Sequence, residues 1–397
     1  MEPVKIVVIN FGGTSSKVAY FENDRCLIKE NIVHPVEAIR ACRDVQEQYS
    51  FRKEAVLGFL EKYKIDINTL DSITSRGGMT EPIVGGTYRI NEAMVEEACS
   101  GEYGHHVSGV GCRIALDLCK ESDHAVPLTT DTPTTDEMEP IARFSGLKEI
   151  ERVACMQTLN TKATARHYAA QNGKRLEDIT VVSVMMGSGI GTCAIKGGKM
   201  IDASDCLEGE GAFANDRCCT VPVGKLVRLC YSGKYDLKGM LRHINGEAGL
   251  ISYLGTTNIR EIVQRIEDGD EYARNVMEAM CYQVAKDVGA MATVLKGELD
   301  AIILTGGMAN VPFITEHITE RVKFIAPVVV IPGERELEAL AEGSYRALKG
   351  DIPILEFIPQ KDVYKRQAVD YLPCGRHAGR GPVGCCAGLF ESRVQCK

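Results

Sequence analysis

Two glycine turns carry the most direct chemical signal in this sequence. The first lies within Asn10-Phe11-Gly12-Gly13-Thr14-Ser15-Ser16-Lys17, and the second within Met186-Gly187-Ser188-Gly189-Ile190-Gly191. Glycine lets backbone N–H groups close around an anion, and flanking Ser or Thr hydroxyls add donors for phosphate oxygens. Asn10, Gly12, Gly13, Thr14, Ser15 and Ser16 thus form one candidate phosphate site, and Gly187, Ser188 and Gly189 a second. Either turn alone would also serve as a plain hairpin. Two related turns about 175 residues apart make a shared role the better reading.

The flanking segments must position these turns. Val4–Asn10 and Thr180–Met185 are apolar and strand-like, and each leads through its glycines into a second strand that ends at a further turn, Glu22-Asn23-Asp24 or Lys196-Gly197-Gly198. This recurrence predicts an internal duplication. Strand, glycine turn, strand differs from a P-loop or dinucleotide fold, in which the glycine turn opens a helix. A third glycine site, Gly306-Gly307, follows the apolar run Ala301–Thr305 and precedes a helix expected from near Pro312 to about Lys323. Strand, Gly-Gly, helix suits a nucleotide lying across the backbone. A long helix is expected over Glu271–Lys296, with Ala273, Val276, Met280, Val284, Val288, Met291 and Leu295 on one buried stripe and Gly297 as its stop.

At 397 residues the chain exceeds one usual core, so two domains are expected. A formal net charge of -8 argues against a nucleic-acid partner and toward a small one. The start of the sequence enters a strand at once without a signal-peptide pattern, and no apolar run is long enough for a membrane span, so a cytoplasmic location is expected. The 16 cysteines are scattered without Cys-x-x-Cys pairs, which suits reduced thiols. Residues 361–397 break the pattern, with 7 basic against 3 acidic residues, and are read as a disordered or non-native tail.

Together the motifs identify a resemblance to the acetate and butyrate kinases, the acetokinase family. Asn10–Lys17 resembles that family's Asn-x-Gly-Ser-x-Ser-x-Lys opening, and further matches run in order to about residue 358. They include Gly77-Gly78-Met79-Thr80-Glu81-Pro82-Ile83, Asp136-Glu137-Met138-Glu139-Pro140, Leu207-Glu208-Gly209-Glu210-Gly211 and Cys230–Tyr235, all similar to butyrate kinase. The resemblance implies an α/β architecture of two duplicated actin-like ATPase domains, ribonuclease H-like, closing on a central cleft. The implied boundaries are 1–145, completed by a helix over 335–358, and 146–334. It implies ATP/ADP and Mg2+ as cofactors, a short-chain fatty acid or acyl phosphate as partner, and a homodimer or higher homo-oligomer. The implied reaction is reversible transfer of the ATP γ-phosphoryl group to a carboxylate. That step needs in-line positioning and positive charge on the transferring oxygens rather than a strong base.

By motif, Arg76 and Arg217 match the family's two cleft arginines, Asp131 an aspartate that orients the cleft or supports Mg2+, and His106 a cleft histidine. Thr305, Gly306 and Gly307 would line adenosine, and Glu336 or Glu338 matches a glutamate near the metal.

The chain also departs from the family. Met185 stands where a histidine opens the second turn, Gln157 replaces another histidine, Gly13 replaces serine, and Arg217-Cys218-Cys219-Thr220 stands for Arg-Ser-Gly-Gly. A lost imidazole donor would cost on the order of 2 to 4 kcal/mol at the transition state. These changes raise a second reading, a catalytically weakened paralogue that binds nucleotide or acyl phosphate in a regulatory role.

Overall fold

Lys5–Phe11 is apolar on both faces because it runs through the middle of a sheet, where neither face meets water. In the computed structural model, which describes residues 2–360, this segment is β1. The other strands are β2 (Ser15–Glu22), β3 (Arg25–Val33), β4 (Ser72–Ser75), β5 (Thr87–Arg89), β6 (Val126–Thr130), β7 (Thr180–Met186), β8 (Ile190–Lys196), β9 (Lys199–Ala203), β10 (Ala301–Gly306), β11 (Val328–Pro332) and β12 (Ile354–Glu356). They form two sheets, ordered β12-β5-β6-β4-β1-β2-β3 and β11-β10-β7-β8-β9.

The sheets share one plan. β6-β4-β1 are mutually parallel and β1-β2-β3 antiparallel, and β11-β10-β7 and β7-β8-β9 repeat those senses. Both glycine turns consequently occupy the same place, at the end of the central strand where it doubles back. The protein is an α/β fold with two similar domains that close on a cleft.

Seven helices matter for positioning the site: α1 (Tyr49–Lys62), α2 (Glu92–Ser100), α3 (Ser108–Lys120), α4 (Thr158–Gln171), α5 (Glu271–Val294), α6 (Pro312–Val322) and α7 (Glu336–Leu348). The expected stripe on α5 is buried from Ala273 through Leu295. α6 begins at Pro312 as expected, but a 3₁₀ turn, Gly307–Asn310, separates it from β10. α4 is shared between the domains: Leu159 and Ala163 pack with α7 and the first sheet, whereas Ala165 and Ala169 pack with the second.

The helix expected over 335–358 is shorter, which is a correction. It ends at Leu348, and Gly350, at a φ of 82°, turns the chain so that β12 can pair with β5. α7 lies against the first sheet through Ala339, Leu340 and Ala341, which pack with Ile6, Val8, Ala19 and Phe21. The segment read as a tail, 361–397, lies outside the described residues.

Candidate active site

Arg76 follows β4 directly, where Gly77 has a φ of 83° and a Cβ there would sit 2.7 Å from Thr132 Cγ2. Only glycine allows the chain to turn this tightly, and the turn presents the arginine to the cleft. Its Nη2 lies 3.2 Å from Glu336 Oε1, while Glu336 Oε2 accepts a hydrogen bond of 2.6 Å from Asn10 Nδ2. Glu336 stands in the first turn of α7 and is buried, as is Asn10. One carboxylate therefore couples the first glycine strand, the arginine and the helix that packs on the first sheet. Glu338 instead faces outward, 4.0 Å from Lys29 Nζ. The sequence-level ambiguity between the two glutamates is thus one of position: Glu336 points inward and Glu338 does not.

A cavity of about 240 Å³ is lined by Arg76, His106, Ser188 and Arg217, together with Met79, Pro133, Cys155, Met156, Gln157, Cys206 and Leu207. Four residues singled out in the sequence thus meet in one place, from both domains. His106 Nδ1 lies 2.7 Å from Ser108 Oγ and accepts the Ser108 backbone N–H at 3.2 Å. That leaves the proton on Nε2, the other ring nitrogen. Burial, aided by the nearby Arg76 charge and only partly offset by Glu336, lowers the His106 pKa to about 4. His106 is therefore a neutral donor at ordinary pH.

Arg217 enters the cavity beside the second glycine turn. Its Nη1 donates to the Cys206 carbonyl at 3.1 Å, and a Cβ on Gly189 would stand 2.4 Å from that same nitrogen. The second turn also joins two cavities. Ser188 faces the one just described, while Gly187 lines a neighbouring cavity of about 890 Å³ with Asn215, Asn258, Arg260, Gly307, Met308 and Asn310.

Other expected residues are placed differently. The Asp131 carboxylate points toward α4, accepting from Gly86 N at 3.0 Å and Arg166 Nη1 at 3.2 Å, with Lys162 Nζ 3.6 Å away. Lys162, then Arg166, hold its pKa below the usual carboxylate value against the effect of its burial. It does not line the cavity with Arg76 and Arg217. The Ser16 hydroxyl is also turned inward, to Arg52 Nη1 at 3.1 Å and His34 Nε2 at 2.8 Å, while Gly13 and Thr14 are exposed at the turn. Thr305 is buried, with Asn160 Nδ2 3.5 Å from its hydroxyl. Gly306, at a φ of 93°, permits β10 to close on β7, since a Cβ would lie 2.3 Å from the Met186 carbonyl oxygen. Of these three, Gly307 alone lines the large cavity.

The position of the missing imidazole also changes. Met185 is 1% exposed and its sulfur accepts from Asn160 Nδ2 at 3.1 Å, inside the core beside Ala165. Gln157 is the replaced position that lines the cavity, and among the described residues its buried Oε1 has no hydrogen-bond partner. Asn258 and Arg260 were not singled out from sequence, although Asn258 caps the following helix with Glu261 three residues on, a legible start signal. Arg52 was missed as well.

Sequence and structure comparisons show which proteins the chain is similar to. The Acetokinase family model matches residues 160–333. Butyrate kinase 2 of Clostridium acetobutylicum is 42% identical over 346 residues, covering 87% of this chain and 97% of that protein. The chain belongs to the acetokinase family. Acetate kinase of Porphyromonas gingivalis has the same fold, with a TM-score of 0.70 at 19% identity, covering 86% of this chain and 99% of that one. A propionate kinase from Francisella tularensis follows with a TM-score of 0.66 at 19% identity, covering 85% and 98%. Among the described residues of this acetokinase-family chain, no helix is long and apolar enough to cross a membrane.

Proposed function

We propose that this protein transfers the γ-phosphoryl group of ATP to a short-chain fatty acid, butyrate or a branched analogue, reversibly forming an acyl phosphate. The observation that carries the reading is the meeting of Arg76, His106, Ser188 and Arg217 around one cavity, next to a second, larger cavity across the glycine turn. The 42% identity with butyrate kinase 2 supports butyrate over acetate as the first acid to test. The larger cavity suits adenosine and the smaller one the acid.

The acid carboxylate is already a nucleophile, so the residues need only hold it in line and offset the repulsion between anions. Arg76 and Arg217 approach the smaller cavity from opposite domains and place positive charge on the transferring group. Neutral His106 donates through Nε2 without needing to exchange a proton. Ser188 and the backbone of Gly187 and Gly189 lie where phosphate oxygens would pass between the cavities. Met79, Pro133, Met156 and Leu207 offer apolar surface for the acyl chain and exclude water from it.

Mg2+ keeps several waters and substrate phosphate oxygens, so one or two carboxylates suffice to hold it. Glu336, inward and next to Asn10, fits that requirement, and no group of three or more His, Cys, Asp or Glu side chains that could hold a metal occurs among the described residues. Mg2+ would neutralise phosphate charge there. The matching strand order of the two sheets supports a duplicated, ribonuclease H-like ancestry, with domains over 1–145 and 146–334 and α7 returning to the first. A homodimer or higher homo-oligomer is the expected assembly.

Gln157 in place of an imidazole favours a second reading, a weakened paralogue that binds these ligands without efficient turnover. The two are separated by running the reverse reaction, butyryl phosphate with MgADP, and following ATP. ATP formation supports the kinase. MgADP binding without ATP formation supports the paralogue.

A further inference from the structure

Among the described residues, Arg52 is the one arginine in the group of largest fully buried side chains, at 0% exposure. Its Nη2 donates to the carbonyls of Gly12 at 3.0 Å and Gly13 at 3.3 Å. Its Nη1 donates to the Ser15 carbonyl and the Ser16 hydroxyl, each at 3.1 Å, and Nε donates to Gln48 Oε1 at 2.9 Å. Every one of these acceptors is neutral. The guanidinium carbon also stacks 5.1 Å above the Phe11 ring. Among the described residues no carboxylate forms an ion pair with it, and burial lowers its pKa to about 10. A buried cation is normally paired, because a charge removed from water without a counter-ion is costly.

The direction of the donors shows what could complete it. Peptide units are planar and trans, and the described chain has no cis bond, so each carbonyl and the N–H that follows it point opposite ways. With the Gly12 and Gly13 carbonyls drawn inward onto Arg52, the N–H groups of Gly13 and Thr14 point outward, on the exposed side of the turn. There, a Cβ on Gly13 would meet no atom of the described residues within 4 Å. Two aligned peptide dipoles thus carry the positive field of Arg52 through the turn.

We propose that Arg52 is a positioning residue for the nucleotide's phosphates: it holds the first glycine turn with its amide face outward and supplies from behind the charge that a bound phosphate balances. This rests on the phosphoryl-transfer reading above. Neither the glycine motif nor the two cleft arginines assigns such a role to α1.

The test uses the full chain, with MgATP affinity measured by calorimetry, steady-state kinetics in both substrates, and folding followed by thermal melting. Arg52→Lys keeps the charge but cannot span these five acceptors. It is expected to weaken MgATP binding roughly tenfold or more while leaving KM for butyrate unchanged. Arg52→Ala is expected to lose more, and added methylguanidinium to restore part of the MgATP affinity. Gln48→Leu, which frees only Nε, is expected to shift affinity the same way by a smaller factor. MgATP affinity at the wild-type level in Arg52→Lys and Gln48→Leu would overturn the proposal. So would equal losses for both substrates with no methylguanidinium rescue, which would mark a general structural role. A wild-type chain that binds MgATP without transferring its phosphoryl group removes the kinase reading but leaves the affinity comparison valid.

Discussion

Gly189 and Arg217 occupy space that only a hydrogen at the glycine position allows: a Cβ there would lie 2.4 Å from Arg217 Nη1 and 3.0 Å from Cζ. The displaced group would be the end of a flexible side chain, so Gly189→Ala is expected to move Arg217 rather than unfold the protein. The thermal midpoint should stay near the wild-type value while kcat falls roughly 10- to 100-fold. Gly306→Ala is the contrast, since its Cβ would meet the Met186 backbone at 2.3 Å and the cost should appear in folding. Melting curves alongside initial rates distinguish the two.

Gln157 lines the cavity and Met185 is in the core, so the two lost imidazoles are not equivalent. Gln157→His is expected to raise kcat by roughly tenfold or more. Met185→His should give no gain and should destabilise by about 1–3 kcal/mol, because it buries a polar ring. Rates and denaturant midpoints of both variants check this, and a faster Met185→His would contradict the placement.

His106 should make the protein acid-sensitive. Its pKa falls from 6.5 to about 4 on folding, so between those values the unfolded chain binds a proton that the native one refuses. Stability is therefore highest above pH 6.5 and declines as pH falls through about 4, by about 3 kcal/mol for this group. His106→Gln should remove that share of the pH dependence, as seen by comparing denaturation of the two proteins across the window. For catalysis, His106 should contribute no inflection to the rate profile between pH 6 and 8.

Glu336 and Glu338 lie two residues apart yet face different surroundings. Glu336→Gln should lower kcat/KM roughly 100-fold and raise the Mg2+ concentration needed for half-maximal rate, since it weakens the carboxylate that joins Asn10 and Arg76. Glu338→Gln should stay within about twofold, because its 4.0 Å pair with Lys29 is solvent-exposed. Mg2+ titrations of both variants decide between them.

Much of this was legible in the sequence because local chemistry dictated it. Apolar runs ending in glycine turns marked β1 and β7, and their recurrence anticipated the matching sheets. Asp131 was harder: its backbone sits at a φ of 46° and its carboxylate is taken by Lys162 and Arg166 from α4, the helix shared between the two domains, a pairing that no sequence spacing discloses. Gly350 shows the opposite case: it is a helix-stop signal visible in the sequence, and it ends α7 before β12, within the span expected to be helix. Arg52 gave no signal because its partners are mostly backbone carbonyls 36–40 residues away, and an arginine in a helix is ordinarily a surface residue.

The most direct measurement incubates the purified full chain with ATP, Mg2+ and acids of two to six carbons in the presence of hydroxylamine, which captures acyl phosphates as hydroxamates. The expected result is hydroxamate that requires ATP and Mg2+, is greatest near butyrate, and is lost in Arg76→Ala and Arg217→Ala. No hydroxamate above background with any acid, from protein that binds MgATP, would contradict phosphoryl transfer to a carboxylate.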